Sequence, residues 1–236
     1  MRPMRHLFAL LIGLLALGPA AADELVGKYQ AHGTYPTGKS YDGAVQIEQL
    51  GRVHVVLWKL ADGQAYKGIG LRQGDVLGAA YGPPGTRFGV AVYKIDGGKL
   101  TGLWVDSRDL KSELGKETLE GSPDLNGAYK ITLGENRDGL TNYNGQVQIK
   151  HSGDNYVVIW PTKPPAVGIG VRVKDVLVVA YGSDMQKLPG VVAYQSTGSD
   201  TLSGIWSQVG VKNNGAGNFS LSTPSKVGRE DLTRAP

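Results

Sequence analysis

One stretch of this chain occurs twice. Gly68-Ile69-Gly70-Leu71-Arg72, Asp75-Val76-Leu77 and Ala80-Tyr81-Gly82 recur as Gly168-Ile169-Gly170-Val171-Arg172, Asp175-Val176-Leu177 and Ala180-Tyr181-Gly182. Each residue of the second copy carries the number of the first plus one hundred. A duplication that holds register through three motifs commits the chain to two versions of one structural unit.

The unit is β-structured. The 35 glycines among 236 residues are well above the usual share of about 7 %. They alternate with Val, Ile, Tyr and Trp rather than running together, as in a small, strongly curved β protein. The first copy reads as strands at 27–31, 41–50, 52–60, 65–72, 76–81, 88–94, 99–105 and 118–120. Turns at Asp62-Gly63, Gly74-Asp75, Pro83-Pro84-Gly85 and Asp96-Gly97-Gly98 separate several of them, because Gly and Asp tolerate the positive φ of tight hairpins. Residues 107–116 are charged and read as a long loop or a single helical turn. After Ser122-Pro123-Asp124 the pattern restarts, with strands at 127–129, 145–149, 155–160, 167–172, 176–181, 190–194, 202–206 and 218–222. Residues 223–236 are polar and aperiodic and read as a disordered tail.

Eight short strands in sequence predict an antiparallel meander, and closure into an up-and-down barrel removes its exposed edges. The expected architecture is therefore all-β, with two tandem barrels of about eight strands, at 23–121 and 122–222. A pair of β-sandwiches or one larger barrel is the alternative. An eight-strand barrel has room for its own side chains or one small ligand.

Residues 1–22 read as a signal peptide. Arg2 and Arg5 precede an apolar run over 7–17, and Ala20-Ala21-Ala22 offers a small-residue cleavage site. The run is shorter than the roughly 20 residues of a membrane span, so export to the periplasm or medium is expected, without a transmembrane anchor. The chain has no Cys, which excludes disulfides and thiol chemistry and leaves stability to the apolar core. The formal charge of +4 falls by two when Arg2 and Arg5 are removed. Lys and Arg are dispersed, so nucleic acid is not an expected partner.

Both copies keep Tyr29/Tyr129, Val45/Val147, Ile47/Ile149, Trp58/Trp160, Tyr81/Tyr181, Tyr93/Tyr194 and a Leu-x-Gly-x-Trp segment ending at Trp104 and Trp206. In that segment Leu, Gly and Trp share a face, and the glycine leaves room for an indole from a neighbouring strand. Core packing accounts for such aromatics; as candidates for ligand lining they are Trp58, Trp104, Trp160, Trp206, Tyr81 and Tyr181. Arg72/Arg172 and Asp75/Asp175 are the charged pairs that the register preserves. A turn role explains the aspartates; the arginines either cap a turn or bind an anion at a barrel mouth.

Catalytic constellations are not seen. His32, His54 and His151 have no histidine counterparts, no carboxylate pair is seen to recur, and Gly68-Ile69-Gly70 lacks the Lys-Ser/Thr and helix of a phosphate loop. No enzyme activity, cofactor or metal is expected. The segments after the third strand, 59–64 and 161–165, differ between copies, as loops of binding proteins do.

The order Gly-x-Tyr, Tyr-x-Gly-x-Val-x-Ile, Val-Val-x-Trp, Gly-Ile-Gly, Tyr-Gly, Gly-Val-x-x-Tyr and Leu-x-Gly-x-Trp resembles a group of small exported bacterial proteins, often labelled fibronectin-binding or uncharacterised. The resemblance covers 27–121 and 127–222. More distantly the meander is similar to avidin and lipocalin barrels, although lipocalins carry their Gly-x-Trp near the beginning of the unit. The resemblance implies an exported, non-enzymatic binding protein with an extracellular protein partner such as fibronectin. A carrier of small apolar molecules, with the four tryptophans inside, and a structural envelope protein are the alternatives.

Overall fold

The computed structural model describes residues 24–82, 85, 87–111, 113–184, 187–208, 210–213, 219–222 and 226–236. The expected signal peptide lies outside the described residues. Among these, all regular structure is β-strand, and no helix is long and apolar enough to cross a membrane.

The strands of the first half are β1 (Gly27–Thr34), β2 (Ser40–Leu50), β3 (Val53–Leu60), β4 (Ala65–Gln73) and β5 (Val76–Gly82), followed by β6 (Gly89–Asp96), β7 (Lys99–Asp106) and β8 (Gly115–Glu120). The second half supplies β9 (Gly127–Glu135), β10 (Gly145–Ser152), β11 (Asn155–Trp160), β12 (Ala166–Val173) and β13 (Val176–Gly182). It continues with β14 (Gly190–Ser196), β15 (Thr201–Gln208), β16 (Gly210–Asn213), β17 (Phe219–Ser222) and β18 (Gly228–Arg234). Two closed antiparallel barrels of eight strands result, as the pattern predicts.

The barrels do not coincide with the sequence units. The first closes in the order β1-β18-β15-β14-β5-β4-β3-β2, and the second in the order β10-β11-β12-β13-β6-β7-β8-β9. Each half thus contributes five strands to one barrel and three to the other, β6, β7 and β8 from the first half and β14, β15 and β18 from the second. In the first barrel the halves meet at β5 with β14, pairing Tyr81 with Gly190, and at β1 with β18. In the second they meet at β13 with β6, pairing Tyr181 with Gly89, and at β8 with β9. The hairpin expected at Pro83-Pro84-Gly85, two of whose residues lie outside the described ones, does not return β6 alongside β5. Consecutive prolines favour extended chain over the compact turn a hairpin needs.

The tail also requires correction. Residues 228–234 form β18, which fills the gap between β1 and β15. Gly228, Glu230 and Leu232 are buried while Arg229, Asp231 and Thr233 are exposed, a period-two strand disguised by a glutamate at an inward position. The segment 218–222, expected as the eighth strand of its unit, instead contributes β17 to a hairpin with β16. The charged segment after β7 forms turns and bends rather than a helix where it is described.

Burial on both strand faces produces three apolar cores. Tyr29, Val45, Val56, Leu77 and Val192 fill the first barrel, and Tyr129, Val147, Val158, Leu177 and Val179 fill the second. A third core lies between the barrels, where Ile69, Leu71 and Ala80 of the first meet Val92, Val176 and Val178 of the second. This explains why Val176-Leu177-Val178-Val179-Ala180 is apolar without alternation: odd positions face the barrel interior and even positions face the other barrel. Each buried aliphatic side chain contributes roughly 1.5–3 kcal/mol, so the middle core makes the two barrels one folding unit.

Because each barrel needs strands from both halves, cleavage of the β8–β9 connection (121–126) should leave the two fragments associated through size-exclusion chromatography. Fragments 24–121 and 122–236, expressed separately, should not give folded monomers, and mixing them should restore the far-ultraviolet spectrum of the intact chain. A monomeric, cooperatively folding 24–121 would contradict the exchanged topology.

Candidate functional site

Each barrel presents a buried glutamate to a cluster of aromatic side chains at one end. In the second barrel, Glu117 projects inward from β8 and is 2 % exposed. Its carboxylate accepts hydrogen bonds from Tyr93 of β6 at 2.6 Å, from Tyr143 just before β10 at 2.9 Å, and from the Trp160 indole of β11 at 3.4 Å. The first barrel repeats the arrangement around Glu230 of β18, which is 3 % exposed. Tyr41 of β2 donates at 2.9 Å, Trp58 of β3 at 3.2 Å, and Tyr194 of β14 through a short contact. The Trp58 indole is shared, since it also lies 2.8 Å from the Tyr194 hydroxyl.

Glycine lets these rings lie flat on the barrel wall. A Cβ at Gly102 or Gly204 would fall within the ring of Tyr93 or Tyr194, and one at Gly115 or Gly228 within the indole of Trp104 or Trp206. The sequence expectation placed an indole over the glycine of Leu-x-Gly-x-Trp. The structure corrects it: a tyrosine of the preceding strand covers that glycine, and the indole covers the glycine that opens the next strand. No side chain larger than hydrogen is compatible with these contacts, so these four glycines follow from the rings that lie on them.

Burial pushes the carboxyl groups of both Glu117 and Glu230 above the ordinary carboxylate range, against the opposing effect of their three donors. Burial also raises the phenols: Tyr93 and Tyr194 well above their usual value, with Tyr143 and Tyr41 raised further by the adjacent carboxylate. The phenols therefore stay protonated and act as donors. The indole Nε1 atoms of Trp104 and Trp206 are buried without an acceptor in hydrogen-bond geometry, although each lies near enough to Tyr143 or Tyr41 to favour that phenol's ionised form slightly.

The two ends differ in free space. The second barrel holds a cavity of about 490 Å³, reached by Tyr93, Trp104, Glu117, Tyr143, Trp160 and Tyr181. Its counterpart in the first barrel measures about 90 Å³. The largest substitutions between the two linings are at two positions, with smaller ones at Val192 against Ala91 and Leu60 against Thr162. Tyr66 pairs across β3–β4 with Trp58, whereas the residue opposite Trp160 is Ala166. Tyr35 opens the turn after β1, its N–H bonded to Lys39 and its carbonyl to Gly38; Asn136 makes the same two bonds, to Thr141 and Gly139, after β9. Tyr35 and Tyr66 line the smaller cavity, and Asn136 and Ala166 the larger. At the opposite end the barrels are stopped by Leu25 with Tyr29 and by Leu125 with Tyr129, all buried.

Of the candidate residues drawn from the sequence, Trp58, Tyr81 and Trp206 line the first cavity, and Trp104, Trp160 and Tyr181 the second. Arg72 and Arg172 line neither. Their Nε atoms donate to the carbonyls of Gly74 and Lys174 in the following turns, at 2.8 and 2.7 Å, and Arg72 also pairs with Glu24 at 2.5 Å. Asp75 and Asp175 lie in these turns but reach outward. Asp75 meets Lys174 of the other barrel at 3.0 Å, and Asp175 pairs with Lys94.

Sequence reasoning missed Glu117 and Glu230: beside Arg72/Arg172 and Asp75/Asp175 they are a further charged pair that the two copies share. The signal is present: Gly115-Lys116-Glu117-Thr118-Leu119 matches Gly228-Arg229-Glu230-Asp231-Leu232. The β16–β17 hairpin separates β15 from β18 and shifts the second copy out of the expected register. No protein-family model matches this chain, and no curated protein matches it in sequence.

Gly115→Ala and Gly228→Ala should each destabilise by roughly 1–3 kcal/mol through overpacking, measured by denaturant unfolding. The glutamates predict a pH signature. A carboxyl whose pKa is raised on folding stabilises fully below its unfolded value, near 4.5, and that contribution is lost as pH rises through the folded value. Wild-type melting temperature should therefore climb as pH is lowered from about 7.5 to about 5, and Glu117→Gln with Glu230→Gln should flatten this slope. At more acidic pH, Asp75, Asp106 and Asp175, lowered by their basic partners against burial, bring the opposite trend.

Proposed function

We propose that this is an exported, non-enzymatic binding protein that carries a small, largely apolar ligand in its second barrel. The observation that carries this reading is the cavity of about 490 Å³ above Glu117. Its volume falls within the roughly 300–1,000 Å³ of small-molecule sites, and its lining has their usual character, aromatic with a few placed polar groups. Asp106, Arg108, Asn136 and Thr162 supply such groups in the lining.

The network favours holding a ligand over transforming one. The Glu117 oxygens are engaged by three protein donors, and burial keeps the neighbouring phenols protonated. Burial raises the Glu117 carboxyl, but a proton-transfer catalyst must be free to pass its proton to the bound molecule, and both Glu117 oxygens are held by protein donors.

The adhesive alternative draws on the motif resemblance alone. Adhesion by strand addition requires an open edge; both barrels are closed, which leaves such edges to the short β16–β17 hairpin among the described residues. Adhesion through an apolar face requires a contiguous patch, whereas the exposed large hydrophobic residues among those described are Leu50, Leu133 and Leu140.

Intrinsic tryptophan fluorescence of residues 23–236, titrated with aliphatic and aromatic apolar probes, should show saturable quenching. Ala166→Trp, which fills the cavity, should remove that quenching without loss of fold by circular dichroism. An unresponsive wild type that is captured by immobilised fibronectin would replace the carrier reading with the adhesive one.

A further inference from the structure

The first barrel shows what the cavity of the second lacks. Both ends share the frame of Tyr93/Tyr194, Trp104/Trp206, Glu117/Glu230, Tyr143/Tyr41, Trp160/Trp58 and Tyr181/Tyr81, yet only the first is filled, and it is filled by two phenol rings of its own wall. Tyr35 lies 4.8 Å from Tyr41 and 5.8 Å from Trp206, centroid to centroid, meeting the indole edge-on at 84°. Tyr66 lies 5.5 Å from Tyr81 at 65°. Both contacts are within the 4.5–7 Å range of favourable aromatic pairs. In the second barrel the equivalent surfaces of Trp104 and Tyr143 have no ring partner among the described residues, and Tyr181 keeps only the 5.6 Å contact with Trp160 that its counterpart also makes.

Resting on the carrier reading, we infer that the second barrel selects a planar aromatic ligand of about two rings, seated where Tyr35 and Tyr66 sit in the first. One ring meets Trp104 and Tyr143 and the other meets Tyr181. Trp104 and Tyr181 are the counterparts of the rings that the two phenols meet at steep angles in the first barrel, and an alkyl ligand of equal volume would fill the space without those contacts. The in-built occupants also fix polarity. The Tyr66 hydroxyl does not turn down to Glu230 but reaches outward to Gln64 at 2.5 Å, so a polar substituent of the ligand faces the mouth and the unsubstituted rings face the floor.

The test compares 2-naphthol with decahydro-2-naphthol, which share a fused carbon skeleton and a hydroxyl but differ in aromaticity. Isothermal titration calorimetry of the whole mature chain should give one site for 2-naphthol, about tenfold tighter than for the saturated alcohol, the margin that two aromatic contacts provide. Asn136→Tyr with Ala166→Tyr should abolish binding by closing the second barrel. Tyr35→Asn with Tyr66→Ala should open the first and raise the stoichiometry from one to two, with the fold of both variants checked by circular dichroism and melting. Equal affinity for the two alcohols would overturn the aromatic inference while leaving the cavity as a carrier site. Binding of neither alcohol would overturn the inference, and the wider probe panel would then decide the carrier reading separately. A stoichiometry of one in a folded Tyr35→Asn/Tyr66→Ala variant would show that those tyrosines do not stand in for a ligand.

Discussion

The structure depends on aromatic rings pressed against bare backbone. An eight-strand barrel is narrow, and the five large aromatics that both barrels place at one end would overfill it if every wall position carried a Cβ. Glycine on the neighbouring strand removes the obstruction and lets Tyr93, Trp104, Tyr194 and Trp206 lie along the wall. The buried hydroxyls of Tyr93 and Tyr194 then need partners, and one carboxylate in each barrel supplies them. Glu117 joins β8 to donors on β6, on β11 and on the segment entering β10, and Glu230 does the same for the first barrel. A buried carboxylate is costly alone, and three donors per carboxylate offset much of that cost. The network therefore ties strands that are distant in sequence and fixes the shape of the cavity above it.

The exchange of strands sets the level at which the molecule is cooperative. Tyr93, Trp104 and Glu117 belong to the first half of the sequence but build the second barrel, with Tyr143, Trp160 and Tyr181 from the second half. Neither half can close a barrel or complete a glutamate cluster by itself. The apolar layer of Ile69, Leu71, Val176 and Val178 then holds the barrels side by side, and the turn pair Asp75–Lys174 crosses the same boundary. That ion pair is exposed, and such pairs are worth about 0–1 kcal/mol. The valine layer is what binds the barrels together.

Strand existence and barrel class were legible because they rest on local rules: period-two burial, Gly and Asp at turns, and too many strands for an open sheet. Which strands pair was not legible. The meander assumption treats Pro83-Pro84-Gly85 as one more hairpin, and nothing local to β5 or β6 says that their partners lie about a hundred residues away. The middle core left a trace, since Val176-Leu177-Val178-Val179-Ala180 is apolar on both faces, but the run fits any strand buried on two sides. At the site, the tryptophans and Tyr81/Tyr181 stood out because they recur in register. Glu117 and Glu230 did not, because the β16–β17 hairpin displaces the second of them and a lone glutamate in a short strand reads as surface. Arg72 and Arg172 recur as faithfully as the tryptophans and yet serve the turns. Recurrence therefore marks what the unit requires, without separating scaffold from site.

The distribution of change between the copies follows the exchanged topology. The three strands that cross over keep the same rings and glutamate in both copies: Tyr93 and Tyr194, Trp104 and Trp206, Glu117 and Glu230, with Ala91 against Val192 as an inward difference. The five strands that stay, together with the turns that join them, carry the larger differences in cavity lining: Tyr35 against Asn136 and Tyr66 against Ala166. A crossing strand must fit a wall built by the other half, so a change in its ring or glycine needs a matching change elsewhere. Tyr35 and Tyr66 sit at the mouth, where the wall ends and a side chain can be shortened without moving a neighbouring strand. The duplicated chain thus has one part held constant by packing and another free to vary. In the first barrel the variable part closes the end with its own rings, and in the second it leaves that space to be filled.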